Sequence, residues 1–154
     1  MKIVEFREED IDTVFEIQRA AYRPLYEKYH DEKTNPYMES KETVLQKYTR
    51  AGTTGYLFII NGIPVGTVRV NLRPEIKRGR ISALGVLPQY QGQGIAQQAL
   101  RKIENLHSEI EQWCLDTILQ EAGNCHLYEK LGYRKTGEIE VINEKMTLVY
   151  YEKG

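Results

Sequence analysis

A chain of 154 residues, 41% hydrophobic and 28% charged, reads as one globular domain over 1–154 that buries roughly 70% of its unfolded surface. Its 21 basic and 22 acidic residues leave a net charge of −1, so no basic excess points to nucleic acid, and apolar runs such as 57–60 are too short to cross a bilayer. The opening "MKIVEFREED" lacks the apolar stretch of a secretion signal, and the two cysteines, Cys114 and Cys125, form no framework. A cytoplasmic protein with reduced thiols is the expectation.

"KIVEFR" alternates and predicts a first strand. "EEDIDTVFEIQRAAY" sets Ile11, Val14, Phe15 and Gln18 on one helical face, with Asp10 as its cap. Arg23-Pro24 is expected to interrupt it, "LYEKYHDE" to form a short second helix, and "KTNPYME" a loop. Ser40 then opens a helix in "KETVLQKYTRAG", closed by Gly52. In "GYLFIINGIPVGTVRVNLR", Asn61-Gly62 between two β-rich runs predicts a hairpin with a type I′ turn. "GRISALGVLP" is a strand ending at Pro88, "GIAQQALRKIENLHSEI" a helix, "WCLDTIL" a strand, "GNCHLYEKLG" a short helix and "KMTLVYYEK" the last strand. The order β-α-α-β-β-β-α-β-α-β implies an α/β fold, a mixed sheet covered by helices. The last strand reads as an edge open to a second copy of the chain, which leaves a homodimer as an option.

"VLPQYQGQGIAQQAL" holds the strongest chemical signal. The first amides of a helix lack partners inside it and carry partial positive charge, so they receive anions, and glycines let phosphate oxygens approach. No acidic residue follows until Glu104. A plain surface turn is the simpler alternative. A P-loop would need Lys-Ser or Lys-Thr after the glycines, and a dinucleotide fingerprint would need glycine at Gln97; neither is present.

The stretch Gln91-Gly92-Gln93-Gly94-Ile95-Ala96 instead fits Q/R-x-x-G-x-G/A, and "LYEKLGY" follows some thirty residues on. With "ISALGVLPQYQGQGIAQQAL" and "LDTILQEAGNCHLYEKLGYRKTGE", the chain resembles the GNAT superfamily of acyl-CoA-dependent N-acetyltransferases. The resemblance implies a mostly antiparallel mixed sheet whose central strand splays from its neighbour to admit acetyl-CoA. It implies pantetheine contacts from Leu84, Gly85 and Val86, with Gly85 suited to a bulge or close approach. It also implies a pyrophosphate cradle from Gln91, Gly92, Gln93, Gly94, Ile95 and Ala96.

Acetyl transfer to an amine needs a base to remove a proton from a group whose pKa is near 10, donors for the developing oxyanion, and an acid for the departing thiolate. By position in the motif, the resemblance makes Tyr128 the acid. Asp116 stands where relatives carry a catalytic carboxylate. Glu121 stands where many have a cofactor-binding asparagine, so either Asn124 has taken that contact or Glu121 serves as base or amine anchor. Cys125 beside His126 raises a covalent route, but neighbours in a helix do not face each other, and direct transfer in a ternary complex is expected. Tyr22 and Tyr26, among the aromatics and carboxylates of the first helices, are candidates for holding a cationic amine of a small molecule or peptide. His30, His107 and His126 have no ligand spacing, so no metal is expected. An acyl-CoA sensor without catalysis, or an interaction module with an empty loop, are the rival readings.

Overall fold

The computed structural model describes all residues, Met1–Gly154. Seven strands form a single sheet: β1 (Lys2–Glu5), β2 (Thr53–Ile60), β3 (Ile63–Arg73), β4 (Arg78–Val86), β5 (Gln112–Ile118), β6 (Arg134–Asn143) and β7 (Met146–Lys153). The spatial order is β1-β2-β3-β4-β5-β7-β6. All pairs are antiparallel except β4 with β5. A parallel pair needs a crossover, and α3 (Ile95–Leu106) supplies it. The other helices are α1 (Ile11–Tyr29), α2 (Lys41–Tyr48) and α4 (Ala122–Lys130). No helix is long and apolar enough to cross a membrane.

The two faces of the sheet are told apart by alternation along β2. Tyr56 and Phe58 join the main core with Ala99, Leu100 and Ile103 of α3. Leu57, between them, packs with Val14 of α1 and with Val44 and Tyr48 of α2. Period-two geometry therefore gives α3 one face and α1 with α2 the other. The Asn61-Gly62 turn has both residues at positive φ, 51° and 78°, between paired Ile60 and Ile63, as a type I′ hairpin requires. Ser40 caps α2, its hydroxyl accepting from the Thr43 amide at 3.1 Å. That helix ends at Tyr48 with Thr49 as cap, three residues before Gly52.

Three sequence expectations are corrected. Pro24 lies inside α1, which runs unbroken to Tyr29 and ends on His30 in the left-handed region. Proline removes one helical hydrogen bond, but Val14, Ile17, Ala21 and Tyr29 on either side are buried, and that packing outweighs the loss. "LYEKYHDE" is thus no separate helix: Leu25 to Tyr29 finish α1, and Asp31 and Glu32 lie beyond its cap. Asp10 occupies the N-cap position without capping; its carboxylate accepts from the Arg7 amide at 2.9 Å. The third concerns the sheet edge. β7 lies between β5 and β6, so the edges of the sheet are β1 and β6, and β6 is a strand absent from the expected order.

Candidate active site

The parallel pairing of β4 and β5 covers only Arg78 to Arg80 against Gln112 to Cys114. Beyond it the two strands separate. On its other side β4 carries an extra residue: Thr67 pairs Gly85 and Arg69 pairs Ser82, so Val68 faces both Ala83 and Leu84. Ala83 takes φ 49°, the local twist a bulge demands. The bulge therefore lies at Ala83 and Leu84. Gly85 serves the close approach instead, because a Cβ there would stand 3.0 Å from Ala21 Cβ and 3.3 Å from Tyr22 Cε2.

The separated strands open into a cavity of about 720 Å³. It gathers most of the residues picked out in the sequence. Leu84, Gly85 and Val86 line it from β4, and Gln91, Gly92, Gly94, Ile95 and Ala96 from the loop and the start of α3. Asp116 reaches it from β5, Glu121, Asn124 and Tyr128 from α4 and its approach, and Tyr22 from α1. Gln93 and Tyr26 lie outside this lining. Tyr26 packs on Tyr37 with ring centroids 5.2 Å apart. Tyr90, Gln97, Thr117 and Leu127, within the quoted motifs but given no binding or catalytic role there, also line the cavity, as does Arg69, which lies outside every motif.

Gly92 and Gly94 stand at φ 79° and 78°, with open space where a Cβ would be. Glycine is required here by backbone conformation, at about 1–2 kcal/mol for any other residue, and the space beyond is open to a ligand. Gly94 caps α3, whose first turn holds no acidic residue, so its leading amides are free to receive an anion. The Gln91 side chain donates to the Val86 carbonyl at 2.9 Å; it pins the loop to the end of β4.

Tyr128 is buried in the main core. Its ring sits 6.2 Å from those of Tyr133 and Tyr151. The hydroxyls of those two neighbours bond Glu104 and Glu129; that of Tyr128 has no protein partner. Burial first, then the nearby Asp116 charge, pushes the Tyr128 phenol well above its ordinary pKa, so it holds its proton. Burial likewise raises the Asp116 carboxyl, opposed by Arg80, whose guanidinium contacts it at 3.0 Å. Cys125 is buried and points its Sγ at the Ile118 carbonyl, 3.7 Å away, with no place in the cavity lining.

Glu121 is differently placed. Its carboxylate meets Lys28 at 2.7 Å and accepts the Tyr29 hydroxyl. Burial works to raise its pKa, but these two hydrogen bonds win and hold it below the ordinary carboxylate range. A carboxylate so held is a poor proton acceptor and a good tie between α1 and α4. Glu121→Gln should accordingly lower Tm by roughly 2 to 4 °C at pH 7 while changing kcat less than about threefold. Because the folded pKa is depressed, this contribution is full above the unfolded value and disappears only as pH falls through the folded one. The Tm difference between the two proteins should thus be the same at pH 6 and pH 8 and shrink in acid; scanning calorimetry across pH checks it.

Tyr22 donates from its hydroxyl to the Leu84 carbonyl at 2.6 Å. It therefore fixes the bulge, and the bulge shapes the path between the strands. Tyr22→Phe would leave that carbonyl unpartnered, at about 1–3 kcal/mol. Acetyl-CoA Kd should rise roughly fivefold or more along with acceptor KM. A rise in acceptor KM alone, measured by calorimetry and initial rates, would mean that the hydroxyl acts only on the acceptor.

The comparisons with known proteins agree with this geometry. The model of the acetyltransferase (GNAT) family matches residues 13–133. No curated protein matches the chain. Solved structures share its fold at low identity. The ribosomal-protein-S18-alanine N-acetyltransferase of Escherichia coli superposes with a TM-score of 0.79 at 14% identity, covering 99% of this chain and 92% of that one. The spermidine N-acetyltransferase of Vibrio cholerae, in complex with CoA and spermine, gives 0.77 at 15%, covering 98% and 93%. The PaiA N-acetyltransferase of Thermoplasma acidophilum, in complex with coenzyme A, gives 0.76 at 18%, covering 99% of both. With a family match over most of its length, a bulged and splayed central strand and a glycine loop opening α3, the chain belongs to the GNAT acetyltransferase family.

Proposed function

We propose that this protein is an N-acetyltransferase that moves the acetyl group of acetyl-CoA directly to a primary amine of a small molecule or peptide, both substrates being bound together. The observation that carries the reading is the divergence of β4 from β5 after Arg80 and Cys114 into a cavity where the unpartnered Tyr128 hydroxyl and Asp116 both stand. The gap leaves β4 main-chain groups without a strand partner, available to the pantetheine arm as an added strand would be. The amides at the start of α3 and the glycines before it receive the pyrophosphate.

Asp116 is the base, directly or through one water. Desolvation raises its pKa from the strongly acidic range, which makes the carboxylate a better proton acceptor, and Arg80 keeps it ionised at neutral pH. Tyr128 gives its proton to the departing sulfur. It is suited to this because burial keeps the phenol protonated until a stronger base forms beside it. Cys125, turned into the core, takes no part, and the acetyl group passes to the amine without an acyl-enzyme.

The test is thiol release from acetyl-CoA with a panel of primary amines, followed by mass spectrometry of acceptor and protein. Thiol should appear only when an amine is present, with the added acetyl mass on the amine. Release without any amine, or acetyl mass on Cys125, would contradict direct transfer.

A further inference from the structure

One charged side chain of the cavity has neither a role in the scheme above nor a partner in the protein. Arg69 lies on β3 between Val68 and Val70, which both belong to the α3-side core. Alternation turns Arg69 to the opposite face, the face of α1 and Tyr22. Asp116 follows core residue Leu115 and shares that face. Arg69 is half-buried and lines the same cavity as Asp116. It makes no hydrogen bond or ion pair with any protein group. Its charge is felt nonetheless: it counteracts part of the burial that raises the Tyr22 and Tyr48 phenols.

The carboxylates lining the cavity are all engaged. Asp116 is held by Arg80 at 3.0 Å, and Glu121 by Lys28 and Tyr29. Asp31 accepts the amides of Lys33 and Thr34 at 2.9 and 3.1 Å, and the Thr34 hydroxyl besides. Nearby Glu39, outside the lining, is taken by Gln18 and Lys47. Among the charged side chains that line the cavity, Arg69 alone is left without a hydrogen-bond or ion-pair partner. Directly opposite, Ser82 is its register partner, so the two side chains stand together on one face. The Ser82 hydroxyl is committed only to a long 3.4 Å bond to Asn71. The pair lies immediately before the bulge at Ala83.

We infer that the acceptor is an amine that also carries a carboxylate, as an amino acid does, with the carboxylate held by Arg69 and its amine turned towards Asp116. The inference rests on the acetyl-transfer reading above. A guanidinium fork matches a carboxylate in two parallel hydrogen bonds, and Ser82 adds a third donor. A polyamine meets the reverse situation: its second cation faces Arg69, and the lining carboxylates already have hydrogen-bond partners. This places the acceptor's recognition at Arg69 and Ser82, in addition to the aromatics and acids of the first helices.

Matched acceptors test this. The L-amino acids and β-alanine are compared with decarboxylated partners, such as tyramine for tyrosine and cadaverine for lysine, and with spermidine. The best acceptor should carry the carboxylate and exceed its partner in kcat/KM by roughly 10-fold or more. Arg69→Met should raise the KM for that acceptor by a similar factor, change kcat less, and leave acetyl-CoA Kd within about twofold. Arg69→Lys should recover part of the loss. Equal or faster turnover of the decarboxylated amines or spermidine overturns the inference. So does an unchanged KM in Arg69→Met, a weakened acetyl-CoA affinity in that variant (which would assign Arg69 to the nucleotide), or acetyl-CoA binding without transfer to any of these amines. Failure to bind acetyl-CoA at all is a different result: it removes the transferase reading and the inference with it.

Discussion

Replacing Tyr128 with phenylalanine is expected to lower kcat by about 100-fold or more, with acetyl-CoA Kd within about twofold of the parent. The size follows from the chemistry: a positioned proton donor contributes roughly 10²–10⁴-fold. The selectivity follows from the packing. Phenylalanine keeps the ring in contact with Tyr133 and Tyr151 and leaves no buried group unpartnered, because the Tyr128 hydroxyl bonds nothing in the protein. Melting temperature should therefore barely move, and circular dichroism establishes that the fold is kept. The pH dependence adds a second check. The Tyr128 phenol is raised by burial, so it stays protonated through neutral and moderately alkaline pH and imposes no loss of rate there. An unchanged kcat in Tyr128→Phe would remove the acid from Tyr128.

The second large effect belongs to Asp116. Asp116→Asn should reduce kcat/KM by about 100-fold or more, and the shape of the pH profile should change with it. In the parent, Asp116 must be ionised to take the proton of the amine, so the rate should rise steeply with pH up to the Asp116 pKa and level off above it. Burial places this break above the ordinary carboxylate value. In Asp116→Asn the steep region should vanish. Arg80 lowers the Asp116 pKa through its charge, so Arg80→Met should move the break to higher pH, since the carboxylate then gains its proton more readily. A profile that keeps its break in Asp116→Asn would assign the base elsewhere. Glu121, held ionised by Lys28 and Tyr29, offers no such titration near neutrality.

Much of the fold was legible because periodicity and turn chemistry are local. Asn61-Gly62, Ser40 and the apolar stripe of α3 each announce their element in a few residues. β6 was missed although Glu138, Ile139, Glu140 and Val141 alternate. Ile139 and Val141 remain 59% and 68% exposed, so this strand is held by pairing with β7 and not by burying an apolar face. Pro24 misled in the other direction. A local rule predicted a break, and tertiary packing of α1 against the sheet carried the helix through it.

The site divided along the same line. The glycine loop and Tyr128 were legible through a resemblance in contiguous motifs. The position of the bulge, the tie from Tyr22 to Leu84 and the engagement of Glu121 by Lys28 join residues far apart in sequence. Arg69 was invisible for a related reason. Nothing distinguishes it from other strand arginines until the cavity shows that its neighbours are paired and it is not.

On the proposed reading, the gap between β4 and β5, with the loop of 91–96 at its mouth, receives acetyl-CoA. Calorimetric titration of the purified protein with acetyl-CoA, with NAD as the control nucleotide, tests it most directly. One acetyl-CoA per chain should bind at micromolar Kd, or roughly −8 kcal/mol, with no heat from NAD. Absence of acetyl-CoA binding, or equal binding of NAD, would contradict it.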